Sequence, residues 1–218
     1  MRFRLIVFDL DGVLVEEPSA WGTLHKAFGT YEASKENLKA YESGIIDYPE
    51  FMRRDIRLWR QRHINEVEAI LHNFTLTRGA FETCEFLKFR EFQLAIVSAG
   101  IDILVRVVSE KLKIKNWIAN GLEIDTKGFL TGEGIFRVDL MEKHLALKEL
   151  IKPLGIKLSD TIAVGDSKYD ITLMKACGTG IAFLKYDTFS NCDSWAAPWE
   201  KIYSLEELPN VLSKIQEG

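Results

Sequence analysis

Apolar and polar positions change period several times along this chain, and the changes divide it. Leu5 to Leu14, LIVFDLDGVL, is an apolar run broken by two aspartates two positions apart. A short apolar run closed by a turn signal predicts a buried strand. In an extended chain residues i and i+2 point the same way, so Asp9 and Asp11 share one mouth, and Gly12 lets the backbone turn there. From about Glu16 to Thr77 the period is helical. Asp47 and Glu50 make a capping box ahead of an apolar stripe at Phe51, Met52, Ile56 and Trp59, and a second stripe runs Ile64, Val67, Ile70, Leu71 and Phe74.

From Gly79 strands and helices alternate. Helices are expected at Ala80 to Arg90, Asp102 to Lys111, Leu140 to Leu154 and Tyr169 to Ala176, and strands at Gln93 to Ser98, Trp117 to Ile124, Thr161 to Val164 and Gly180 to Leu184. Asp125 to Phe136, with Gly128, Gly132 and Gly134, reads as a hairpin excursion. Ser204 with Glu207 is another capping box, after which Pro209 implies either a short turn and a new helix or a kink. Such alternation predicts a mostly parallel sheet covered on both faces, with ligands bound beyond the carboxyl ends of its strands. Asp9, Ser98 and Asp166 each stand at such an end, although the pattern does not say that these strands are neighbours.

Two like charges as close as Asp9 and Asp11 repel unless a cation neutralises them or one holds a proton. A DxD turn is also an ordinary strand ending. The company it keeps distinguishes these readings: QLAIVSAG ends on Ser98, TIAVGD ends on Asp166 with Asp170 one helical turn beyond, and Lys143 opens an amphipathic segment between them.

This ordered set, DLDGV, Ser98 within IVSAG, Lys143 and GDSKYD, resembles the haloacid dehalogenase-like phosphohydrolase superfamily, and GIKLSDTIAVGD with its offset from Lys143 is most similar to the phosphoserine phosphatase branch. The resemblance implies a doubly wound, Rossmann-like α/β core at residues 1–15 and 78–218 and a small helical cap, 16–77, inserted after the first strand. It implies Asp9 as nucleophile and Asp11 as general acid and base, with phosphate held by Ser98, Ala99, Gly100 and Lys143. Mg²⁺ would be held by Asp9, the Asp11 carbonyl and Asp166, and Asp170 would order Lys143 or metal-bound waters. Ester hydrolysis expels an alkoxide that needs a proton, so an acid at position 11 favours phosphate chemistry over dehalogenation. A phosphomutase would need the same acid.

For substrate, the resemblance implies phosphoserine, with a different small phosphomonoester such as phosphoglycolate or a sugar phosphate next, and a non-catalytic phosphometabolite-binding protein as the alternative of another class. Its ammonium and carboxylate call for an acid and a base from the cap. By offset those positions fall on Pro18 and Asp55, so the candidates are their neighbours Glu16, Glu17, Arg53, Arg54 and Arg57; Tyr169 stands where that branch has asparagine.

Composition narrows the class further. The 218 residues suffice to bury about 70% of the unfolded surface, and a formal net charge of −4 offers no electrostatic reason to expect nucleic acid. Cys84, Cys177 and Cys192 lack CxxC spacing, and His25, His63, His72 and His144 lack metal-ligand spacing, which argues against a disulfide framework, a zinc site or a His25–Cys192 hydrolase dyad. No targeting segment or run of about 18 apolar residues is visible. The expectation is a soluble cytoplasmic enzyme, monomer or homodimer, acting on a small phosphorylated metabolite without nucleic-acid or membrane partners.

Overall fold

A computed structural model of the chain describes residues 3–185 and 199–217. Among them the strands β1 (Leu5–Phe8), β2 (Gln93–Ile101), β3 (Asn116–Ile124), β4 (Leu130–Ile135), β5 (Thr161–Gly165), β6 (Thr179–Phe183) and β7 (Glu200–Ile202) form one sheet, ordered β4-β3-β2-β1-β5-β6-β7. Every pairing is parallel except the β3–β4 hairpin. The strand β1 is buried throughout, as its unbroken LIVF run requires of a strand covered on both faces. Helices α5 (Ala80–Phe89), α6 (Asp102–Leu112), α7 (Lys143–Ile151) and α8 (Ile171–Ala176) pack against the sheet, and α9 (Leu208–Glu217) packs on α5.

Register aligns the chemistry. Phe8 pairs with Ile96 on β2 and with Val164 on β5, so Asp9, Ser98 and Asp166 stand at nearly one level on three adjacent strands, although β2 runs on to Ile101 rather than ending at Ser98 as expected. This is the adjacency that the pattern alone left open.

Between β1 and α5 lie α1 (Ala20–Ala27), α2 (Tyr31–Glu42), α3 (Tyr48–Arg57) and α4 (Ile64–Leu71). Ser19 starts α1 by accepting from the Gly22 N–H, and Asp47 starts α3 by accepting from the Glu50 N–H. The box expected at Asp47 is half made, because Glu50 turns outward to Arg53 and Arg54. A complete box appears instead at α4, between His63 and Glu66. The fully buried Trp59 anchors this group, stacked on Trp21 at 5.3 Å. The inserted segment leaves and returns side by side: the Glu16 N–H donates to the Thr75 carbonyl and the Thr77 N–H to the Leu14 carbonyl.

Other differences are local. Pro153 ends α7 early, leaving a 3₁₀ turn at Lys152–Leu154. Of the two options at Pro209, a new helix after a short turn is adopted, with Ser204 accepting from Glu206 rather than completing a box with Glu207. Cys192 lies outside the described residues, and the described Cys84 and Cys177 are free thiols.

Candidate active site

A cavity of about 360 Å³ opens beyond the carboxyl ends of β1, β2 and β5, between the sheet and the inserted helices. Its floor carries Asp9, Asp11, Ser98, Ala99, Gly100, Lys143 and Asp166. Residues chosen from four separate segments of the sequence therefore meet at one place.

Lys143, the first residue of α7, is 2% exposed, and its Nζ lies 2.9 Å from Asp9 Oδ2 and 2.7 Å from Asp170 Oδ1. Burial alone would lower the lysine pKa, but Asp170 and Asp9 outweigh it and hold the ammonium charged. Asp170 is fully buried and ties the loop after β5 together: its Oδ2 accepts from the Asp166 N–H, the Ser167 N–H and the Ser167 hydroxyl at 3.2, 3.1 and 2.9 Å. It thus fixes both Lys143 and the backbone that aims Asp166.

One lysine does not balance this many buried carboxylates. Desolvation, with Asp170 nearby, pushes Asp9 up to about 7 despite Lys143, and desolvation with Asp170 and Asp9 pushes Asp166 up to about 9. Asp11 rises to about 6 by desolvation, partly offset by a hydrogen bond from the Ala20 backbone, and its Oδ1 is buried without a hydrogen-bond partner. Oxygens of Asp9, Asp166 and Asp170 all lie within 4.8 Å of one another. An all-oxygen cluster with surplus negative charge suits a hard divalent cation. The expected ligand set took Asp9, Asp11 and Asp166; Asp170 joins by proximity, although Lys143 and the loop already use both its oxygens.

Two glycines make room. Gly12 takes φ +77°, and a Cβ there would meet the Asp166 carboxylate; a Cβ at Gly100 would sit 2.8 Å from Asp11 Oδ2 and 2.9 Å from Ser98 Oγ. Ser98 is buried, and its Oγ accepts from the Gly100 N–H at 2.9 Å. The Ala99 carbonyl accepts from Trp21, Tyr48 and Asn120, which joins the inserted helices to the end of β2.

The expected specificity residues stand elsewhere. Glu16 pairs with Lys185 and accepts from the Arg78 N–H, and Glu17 accepts from the Thr75 N–H, so both serve the neck of the insertion. Arg53, Arg54 and Arg57 project from the polar face of α3, where Arg53 pairs with Glu50 and Glu133, Arg54 with Glu50 and Arg57 with Glu133. None of the five lines the cavity. Its upper wall is instead Trp21, His25, Tyr48, Phe51 and Asp55, with Pro18 and Tyr169 also lining it. A signal for Asp55 existed: it falls with Tyr48, Phe51, Met52 and Ile56 on the buried stripe of α3, opposite the arginines.

The haloacid dehalogenase-like hydrolase family model matches residues 6–175. A phosphoserine phosphatase from Methanocaldococcus jannaschii is 37% identical over 182 residues, 83% of this chain and 85% of that protein. One from Archaeoglobus fulgidus is 33% identical over 83% of this chain, which spans only 52% of that longer relative. A solved phospho-aspartyl intermediate analogue of phosphoserine phosphatase, 34% identical, superposes with TM-score 0.72 over 84% of this chain and 87% of that one. A substrate-bound phosphoserine phosphatase complex, 31% identical, gives 0.77 over 97% and 98%.

Proposed function

The chain belongs to the haloacid dehalogenase-like hydrolase family, and from that premise we propose that it is a phosphomonoesterase that works through an aspartyl-phosphate on Asp9, with O-phospho-L-serine as substrate. The observation that carries this reading is the convergence of Asp9, Asp11, Ser98, Lys143 and Asp166 on one cavity floor.

A phosphate monoester resists attack because nucleophile and substrate are both anionic. Lys143, charged and 2.9 Å from Asp9, supplies positive charge where the two anions meet. Ser98 and the backbone around Ala99 and Gly100 orient the phosphoryl oxygens. Attack by an Asp9 carboxylate oxygen forms the aspartyl-phosphate as the bond from phosphorus to the leaving oxygen breaks. Asp11 gives its proton to that alkoxide, then takes one from the water that cleaves the phosphoenzyme and releases phosphate. Its carboxyl, raised to about 6, is placed to do both near neutrality.

Asp9, the Asp11 carbonyl and Asp166 would hold Mg²⁺, with Asp170 fixing the loop that carries Asp166. Bound there, the ion would neutralise phosphoryl charge and favour the ionised form of the aspartates. Residues 16–77 are read as a cap over a core of 1–15 and 78–218, excluding water from the cavity. A cytoplasmic location accords with the free thiols of Cys84 and Cys177. Among the described residues no helix is long and apolar enough to cross a membrane.

Asp9→Asn tests the reading: hydrolysis of phosphoserine should vanish while the fold, followed by circular dichroism, persists. Retained turnover in that variant overturns it.

A further inference from the structure

The wall facing the catalytic floor contains a carboxylate with no lysine or arginine in contact among the described residues. Asp55 is 2% exposed and lines the cavity. Its Oδ1 accepts from Asn37 Nδ2 at 2.7 Å, and its Oδ2 lies 3.1 Å from Nε2 of His25, which is 1% exposed. His25 Nδ1 lies 2.8 Å from the Thr30 hydroxyl, and the Trp59 indole N–H stands 3.2 Å from both of them. That Nε2 makes no hydrogen bond of its own, close as it is to Asp55. A carboxylate buried beside an amide and an imidazole, with no lysine or arginine in contact among the described residues, is a place where a ligand's cation is stabilised.

The cavity thus carries Lys143 among the carboxylates of its floor and Asp55 on its wall. Trp21, Tyr48 and Phe51 line it as well, aromatic faces that favour an ammonium. Among the described residues nothing comparable is built for a carboxylate. Of the cations lining the cavity, Lys143 is committed to Asp9 and Asp170, and Lys35 is half exposed and paired with Glu32 at 2.8 Å.

From this we infer that Asp55 is the specificity-determining residue that receives an ammonium on the substrate's leaving group, and that the carboxylate of phosphoserine is not read. The inference rests on the phosphomonoesterase reading and narrows it to phosphate esters of amino alcohols. Stereochemical choice needs a third held group, so O-phospho-D-serine is accepted as well as the L form.

Steady-state kinetics of the wild-type chain with Mg²⁺ tests this without any substitution. Phosphoethanolamine and both phosphoserine enantiomers should give kcat/KM values within about 10-fold of one another, and ethylene glycol monophosphate, in which hydroxyl replaces ammonium, should fall on the order of 10- to 100-fold below phosphoethanolamine, the cost of losing a charge-assisted hydrogen bond. Asp55→Asn should lower the ratio of phosphoethanolamine to p-nitrophenyl phosphate turnover by a similar factor. Equal turnover of the ammonium and hydroxyl esters, or a strong preference for L-phosphoserine over both its enantiomer and phosphoethanolamine, overturns the inference. Failure to hydrolyse any ester, p-nitrophenyl phosphate included, refutes instead the phosphatase reading on which it rests.

Discussion

Removing the Lys143 ammonium from the acidic centre should cost the fold as well as the activity. In the wild type, Nζ of Lys143 lies 2.9 Å from Asp9 and 2.7 Å from Asp170, both buried. At an effective dielectric near 20 each contact amounts to roughly 6 kcal/mol before desolvation. Most of that is offset by taking the charges out of water, and breaking a buried pair typically costs about 3–5 kcal/mol. Lys143→Met, which keeps the aliphatic stem, should therefore lose about that much in urea unfolding followed by tryptophan fluorescence with EDTA present. The loss should depend on pH. Asp9 and Asp166 already sit at about 7 and 9, raised chiefly by desolvation, and without Lys143 they move higher. A carboxyl whose pKa is raised on folding binds more protons folded than unfolded, so stability falls as pH climbs from its unfolded value through its folded one. The variant should be closest to wild type near about pH 5 and furthest below it near about pH 8. A loss under about 1 kcal/mol that is flat across that range would show that Lys143 does not hold the carboxylates together.

Two further predictions follow from the same centre. With p-nitrophenyl phosphate the leaving group needs no proton, so Asp11→Asn should slow hydrolysis of the phosphoenzyme more than its formation, and rapid mixing should show a stoichiometric burst of p-nitrophenol; equal slowing of both steps with no burst removes Asp11 from the acid–base role. Because Asp9 and Asp166 are raised to about 7 and 9 in the metal-free chain, Mg²⁺ binding near neutrality should release between one and two protons, roughly half of one from Asp9 and about one from Asp166, read by calorimetry in buffers of different ionisation enthalpy. A heat independent of buffer would contradict the raised values.

The fold was legible where one period ran long enough. The LIVF and TIAV runs read as buried strands because a strand covered on both faces leaves no polar positions, and the stripe at Phe51, Met52, Ile56 and Trp59 read as helix because one face is buried. Ser98 to Gly100 lie inside β2, which runs on to Ile101, but the rest of the cavity floor was legible because its groups follow a strand or open a helix, places where sequence position fixes spatial position. Strand order was not, since local pattern carries no record of which strands pair. The three residues of β7 are too short to show a period. The upper wall of the cavity was missed for a different reason: charge points to Arg53, Arg54 and Arg57, which Glu50 and Glu133 hold on the solvent side of α3, whereas Asp55, the charged residue on the apolar stripe, lines the cavity. Asp170 is expected from the sequence to order Lys143 or metal-bound waters. Its additional bonds to Ser167 and the Asp166 N–H depend on a 3₁₀ turn at Lys168–Asp170 that the expected helix did not include.

The central claim is covalent chemistry at Asp9, and trapping the intermediate tests it most directly. Asp11→Asn protein should be mixed with p-nitrophenyl phosphate and Mg²⁺, quenched in acid within the first turnover and digested for peptide mass spectrometry. The account predicts one phosphoryl group on the N-terminal peptide, localised to Asp9 and lost on treatment with hydroxylamine, as an acyl phosphate must be. A phosphoryl group on any other residue, or turnover by the wild type with no phosphorylated peptide from either form, would contradict it.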